Sequence, residues 1–142
     1  MGTEHRERIK AFENKVEVYS TATARVYWQN DKIIRLDVIE ERELDEKDLE
    51  ENIDTLRSFA EGQPHIVLVD ARGNWILSKE AREMMSFDET IKNISACAFL
   101  VDSLAIRLIV NFFIREGKLE SSVKVFSDES KALLWLNERS GK

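Results

Sequence analysis

Apolar positions along this chain follow two periods, and their alternation predicts the elements. From Val16 to Gln29, Ala22, Ala24, Val26 and Trp28 fall on one side and Thr23, Arg25 and Tyr27 on the other, the mark of a strand with one covered face. Asn30 and Asp31 suit a tight turn into Lys32 to Ile39, where Ile34, Leu36 and Val38 alternate with Arg35 and Asp37. An opening antiparallel hairpin follows, with Trp28 expected in the core. The spacing then changes to helical: Leu49, Ile53, Leu56 and Ala60 share one face. Asp45 is placed to cap, Leu44 to staple onto Leu49, and Gly62 and Pro64 to end the helix.

Ile66 to Val69 is apolar without interruption and β-branched at three of four positions, which suits a strand covered on both faces. Asp70 ends it, the turn Ala71 to Asn74 carries a glycine, and Ser78 is placed to cap a helix starting at Lys79. Ser86 to Glu89 repeats a capping pattern for a short helix to about Asn93. Ser95 to Val101 is a second apolar strand, and its small residues Ala96, Cys97 and Ala98 would let a helix lie close. Asp102 or Ser103 caps Leu104 to Glu116, a helix so apolar that burial on more than one side is expected, by packing, by an oligomer contact or around an apolar pocket. Gly117 ends it. Val123 to Phe126 forms a last strand, protected at its edge by Lys124, and Ser127 caps a final helix, Asp128 to Glu138.

The expected order is therefore β-β-α-β-α-β-α-β-α, an α/β mixed sheet flanked by helices. Residues 1–15 read as a polar leader and 16–142 as a single domain, which is what 142 residues allow.

Composition narrows the function classes. A net charge of −6, from 27 acidic against 21 basic residues, lacks the electrostatic attraction that nucleic-acid binding relies on. Much of the excess lies between Glu40 and Asp54, where a solvated acidic helix face is the ordinary meaning. One cysteine, Cys97 inside an apolar strand, excludes an internal disulfide and fits a reducing, cytoplasmic setting. No apolar run approaches the roughly 20 residues of a spanning helix. His5 and His65 are the only histidines, with no spacing that would make a metal site, no phosphate-binding glycine loop and no cofactor motif. His65 lies at the opposite end of its strand from Ser78, and Cys97 sits mid-strand, so neither makes a nucleophile-and-base pair with it.

What the pattern does gather is polar residues at the carboxyl ends of two strands, where α/β sheets usually meet ligands and partners. Asp70, Arg72, Asn74, Ser78 and Lys79 follow the first strand, and Asp102, Ser103 and Arg107 the second. These form the candidate binding surface.

The element order, with IVLVDARGNWILSKEA from Ile66 to Ala81, resembles the STAS fold of anti-sigma-factor antagonists, and within it the divergent SpoIIAA-like proteins. In that fold a strand ending in Asp leads through a glycine turn to a helix bearing an Asp-Ser-Ser-Gly-type motif whose first Ser is a phosphorylation switch. Matching Asp70 and Gly73 to the family positions sets Ser78 on the motif's Asp, Lys79 on the phosphorylated Ser and Ala81 on its Gly. The resemblance implies a non-enzymatic, bacterial-type regulatory or protein-interaction module, with a protein partner or a homodimer, whose switch serine is replaced by lysine. Ser78 is the alternative acceptor, at a helix N-terminus beside Lys79 where a phosphate is electrostatically favoured. The same fold class resembles lipid-binding CRAL-TRIO domains. That implies a second function, carriage of a small apolar ligand lined by Leu104 to Ile114, Met84, Met85 and Phe87.

Overall fold

The computed structural model of the chain describes residues 17–84 and 93–140. Six strands form the main sheet: β1 (Tyr19–Ser20), β2 (Ala24–Trp28), β3 (Ile33–Val38), β5 (His65–Asp70), β7 (Ile94–Leu100) and β8 (Val123–Phe126), in that spatial order. The first three are antiparallel neighbours; β3, β5, β7 and β8 run parallel. A second, two-stranded parallel sheet joins β4 (Glu43–Leu44) to β6 (Ile76–Leu77). The helices are α1 (Glu46–Ala60), α2 (Lys79–Met84), α3 (Leu104–Glu116) and α4 (Glu129–Ser140).

The mixed α/β architecture stands, but the order is richer than the expected one. Val16 to Gln29 is not one strand. Thr21 Oγ1 accepts from the amides of Thr23 and Ala24, and this local turn separates β1 from β2. The expected two-residue turn is a longer loop, in which Gln29 N–H donates to Ile33 O and Asn30 Oδ1 accepts from the amides of Lys32 and Ile33. The leader and the short helix from Ser86 lie outside the described residues. β4 and β6, two residues each, are too short for any periodicity to reveal.

Chain direction decides which face each helix covers. The crossovers from β3 to β5 and from β7 to β8 step the same way across the sheet, so right-handed connections carry α1 and α3 to the same side. Helix α4, the last element among the described residues, packs on the opposite side against β5, β7 and β8. The core accordingly has two halves. Val26, Ile34, Leu36, Val67, Cys97 and Val123 face α1 and α3, whereas Ile33, Ile66, Leu68, Ala96, Ala98 and Leu100 face α4.

Local signals set the helix ends. Asp45 and Asp48 form a reciprocal capping box at the start of α1, and Leu44 packs with Leu49 as the expected staple. Ser103, rather than Asp102, caps α3 by accepting from the Ile106 amide. Asp128, not Ser127, receives the first amides of α4, those of Ser130 and Lys131. Within this chain the apolar surface of α3 is covered on one side. Ile106, Val110 and Ile114 are buried, while Leu104, Leu108 and Phe112 are 70%, 59% and 49% exposed on the outer side of the helix. Trp28 also departs from expectation: it is 42% exposed at the end of β2, tilted against Phe59.

Candidate functional site: an apolar cavity between the sheet and two helices

Strand alternation in β5 separates two environments that are contiguous in sequence. Ile66, Leu68 and Asp70 point toward α4; His65, Val67 and Val69 point toward α1 and α3. The turn continues the second set. Gly73 has φ +120°, a conformation that suits glycine, and its amide donates to Asp102 Oδ1. The reversed chain brings Trp75 back over Ala71, to whose carbonyl the indole N–H donates at 3.0 Å.

Toward α1 and α3 the sheet is not fully packed. Helix α1 approaches β2 and β3 most closely, and α3 approaches β8, so the space above the central strands β5 and β7 is left open. The result is a cavity of about 350 Å³. Its floor is Leu36, Val67, Val69, Cys97 and Phe99. Leu49, Ile53 and Leu56 of α1 form one wall, and Ile106, Ile109 and Val110 of α3 the other. Trp75, Leu77 and Leu44 border the cavity near the carboxyl ends of the strands. A bulge between β5 and β7 adds to the floor: His65 pairs with Ile94 and Ile66 with Ala96, so the extra residue turns Ile94 to the same side as Cys97.

Polar groups in the lining are few. Asn52 is committed, its amide donating to Thr23 Oγ1 and its oxygen accepting from Thr21 Oγ1. The others, Arg57, His65 and Asn93, come from the C-terminal part of α1 and the amino ends of β5 and β7, the end of the sheet opposite the surface expected from the sequence. His65 is only 8% exposed, and its Nδ1 faces the Gln63 carbonyl at 3.1 Å. A carbonyl only accepts, so Nδ1 carries a proton. Burial pushes the Cys97 thiol up to about 12, so it stays protonated and behaves as an apolar wall atom.

The residues expected to form one polar surface are distributed among separate tasks. Asp70 and Arg72 join Arg35 and Glu129 in an ion cluster on the α4 side. Arg35 Nη2 donates to Asp70 at 3.0 Å, Arg35 Nη1 to Glu129 at 2.8 Å and Arg72 Nη2 to Asp70 at 2.7 Å; Arg35 Nε donates to Asp37 at 2.7 Å. Burial works against ionisation of Asp70, but Arg72 and Arg35 outweigh it and hold the carboxyl below its usual range. Glu129 is lowered chiefly by its hydrogen bond from Arg35. Tyr27, desolvated and donating to Asp37, is raised to about 12. These groups satisfy one another and leave little for a partner.

Ser78 is 7% exposed and its hydroxyl accepts from the Ala81 amide at 3.0 Å, as a helix cap. This is the cap expected for a helix starting at Lys79. Ser103 is spent on capping α3, and Asp102 pins Gly73. Asn74 and Lys79 are exposed and Arg107 half-buried. Among the described residues, no group of three or more His, Cys, Asp or Glu is placed to hold a metal ion. No helix among them is long and apolar enough to cross a membrane.

Sequence reasoning treated His65 only as a possible base, and saw Arg35 only as the polar half of an alternating strand. Arg35 is buried and Glu129 lies 94 residues away, a pairing that no local pattern reveals.

The architecture that frames the cavity, a mixed sheet with helices on both faces, is a SpoIIAA-like fold. A crystal structure of an uncharacterized protein from the DUF3478 family of Shewanella loihica PV-4, described as having that fold, superposes with a TM-score of 0.57 at 18% identity, covering 85% of this chain and 91% of that one. The chain belongs to the family described as domain of unknown function DUF7793, whose model matches residues 27–140. Comparison with curated proteins finds no match.

Proposed function

We propose that this protein is a non-enzymatic binding module that takes a small apolar molecule into the cavity between its sheet and helices α1 and α3. The observation that carries this reading is the cavity itself, about 350 Å³ with an almost wholly apolar lining. Its size falls in the range of small-molecule sites, roughly 300–1,000 Å³. An apolar molecule bound there would remove its own surface and that of the lining from water, which is favourable. The alternative of a polar recognition surface at Asp70 to Lys79 is weakened, because Asp70 and Arg72 are paired with each other and with Arg35 and Glu129.

Thermal unfolding with increasing 1-octanol is the test. A ligand at 100 times its Kd adds about 2.7 kcal/mol, a rise of roughly 5–10 °C for a domain of this size. Val69→Phe narrows the cavity from its floor and should reduce that rise while leaving the protein folded. An equal rise in wild type and variant, or none in wild type, removes the reading. Native mass spectrometry of protein purified from its own host would then identify the natural occupant.

A second reading rests on a different observation, the exposed stripe Leu104, Leu108 and Phe112 along α3. Residues four apart make a continuous ridge, and a single helical ridge is self-complementary across a two-fold axis. A second copy of this chain is the occupant it suits. Sedimentation of wild type and Leu108→Glu tests it: a dimer lost in the variant supports the reading, and a monomer throughout excludes it.

A further inference from the structure

Along α1 the residues that line the cavity are Leu49, Asn52, Ile53, Leu56 and Arg57, the three- and four-residue spacing of one helix face. Leu49, Ile53 and Leu56 are apolar, and Asn52 is bonded to Thr21 and Thr23. Arg57 breaks the pattern, and among the described residues it is the only Arg, Lys, Asp or Glu in the lining. A cation in the last turn of a helix suits the macrodipole, but that holds at any position around the turn and does not account for a place on the apolar face. Arg57 lies 3.8 Å from Asp54 across a solvent-exposed turn of α1, its own side chain 49% exposed. A guanidinium carries five N–H donors in a planar fork, so it serves several acceptors at once. The cavity is polar at one end only. His65 N–H donates to the Asn93 carbonyl at 2.9 Å, which sets His65 and Asn93 side by side at the amino ends of β5 and β7, the end that Arg57 also borders. At the other end stand Leu44, Leu77 and Trp75, whose indole N–H is taken by the Ala71 carbonyl.

From this arrangement we infer that the occupant is an amphipathic acid, a carboxylate on a hydrocarbon chain, whose headgroup is bound by Arg57 while its tail lies over Val67, Val69 and Cys97 toward Trp75. The inference rests on the cavity reading above and adds to it the charge and the direction of the ligand. A carboxylate matches the guanidinium fork through two parallel N–H···O bonds, and the Asn93 amide brings a further donor group to the same end. His65 Nδ1–H is spent on the Gln63 carbonyl, so recognition of charge falls to Arg57. Because Arg57 is half exposed, the headgroup stays at a wet mouth, and its charge is not carried into the apolar interior at the cost that would entail.

The test titrates octanoate and 1-octanol, equal in chain length, into the full chain at about pH 7, where the acid is ionised. Three proteins are compared: wild type, Arg57→Gln, and Arg25→Gln, which makes the same change of charge at an exposed position of β2 outside the lining. Octanoate should bind Arg57→Gln about tenfold more weakly than wild type, the lower value of a hydrogen bond to a charged group. Octanol should bind all three proteins equally, which also shows that Arg57→Gln is folded with its cavity intact, and Arg25→Gln should match wild type for both ligands. In the wild-type complex with octanoate, nuclear Overhauser contacts should join the methylene beside the carboxylate to Ile94, and the terminal methyl to Trp75 and Leu77. An equal loss in the two variants marks a general effect of charge and overturns the inference. So do an octanoate affinity indifferent to Arg57, a reversed set of contacts, or binding of octanol without octanoate; in each of these the cavity reading stands. Failure of both ligands to bind overturns the cavity reading, and this inference with it.

Discussion

On one face of the sheet a single helix, α4, lies against the alanines of β7; on the other, α1 and α3 stand to either side of the central strands and leave a cavity between them. The alternating residues of β7 make the contrast explicit. Ala96 and Ala98 admit Ala132 and Leu136 so closely that all four are fully buried. Cys97 and Phe99, one residue out of phase, form part of the floor of an unfilled space. Polar groups are apportioned in the same way. The α4 side carries an ion cluster in which Arg35, Asp37, Asp70, Arg72 and Glu129 satisfy one another, whereas on the cavity side Arg57, His65 and Asn93 gather at one end of an apolar lining. A close-packed, self-paired face specifies the fold. The hollow face is the one with capacity left for a ligand.

The comparison breaks most readily at Arg35. Its removal leaves three partly buried carboxylates without their shared partner, so Arg35→Met should cost about 3–5 kcal/mol in urea unfolding. A loss below 1 kcal/mol would mean that the α4 face is not held by this cluster. Overpacking provides a matched pair of smaller effects. Ala98→Leu on the closed face should cost about 1–3 kcal/mol, while Val69→Leu on the hollow face should be neutral or stabilising, since its added carbon has space to enter. Equal penalties would show that the cavity is not available to side chains.

Acid sensitivity should also belong to the closed face. Asp70 and Glu129 ionise more readily folded than unfolded, so their contribution is present above the unfolded values near pH 4 and is lost as pH falls through the lower folded values. Wild type should therefore lose stability steadily below about pH 4, and Asp70→Asn with Glu129→Gln should flatten that slope. An unchanged slope would place the acid-labile groups elsewhere. The smallest effect is expected at Leu108, already exposed, where Leu108→Glu should change stability by no more than about 0.5 kcal/mol.

How much of this was legible in the chain depends on the range of each interaction. The strand from Ile66 to Val69, the cap at Asp45 and the end of α1 near Gly62 are each written within a few residues, and the structure carries them as expected. The stretch from Ile66 to Ala81 that carried the family resemblance is divided between two uses. Its polar members close the fold, while its apolar members and His65 line the cavity. The partnership of Arg35 with Glu129 and the volume over β5 and β7 depend on where distant helices come to rest, which hydrophobic period does not encode. Helix α3 shows the limit most plainly: its apolar count did not tell which side would meet the sheet, and it is the side bearing Ile106, Val110 and Ile114 that did.

The contrast between the two faces can be read in one titration, with 1-octanol added to methyl-labelled protein. Saturable shifts should appear at Ile53, Leu56, Val67 and Val69, while the Leu68, Leu100 and Leu136 methyls, buried beneath α4, stay in place. Shifts confined to Leu104 and Leu108 on the outer side of α3, or none that saturate, would contradict a ligand in the cavity.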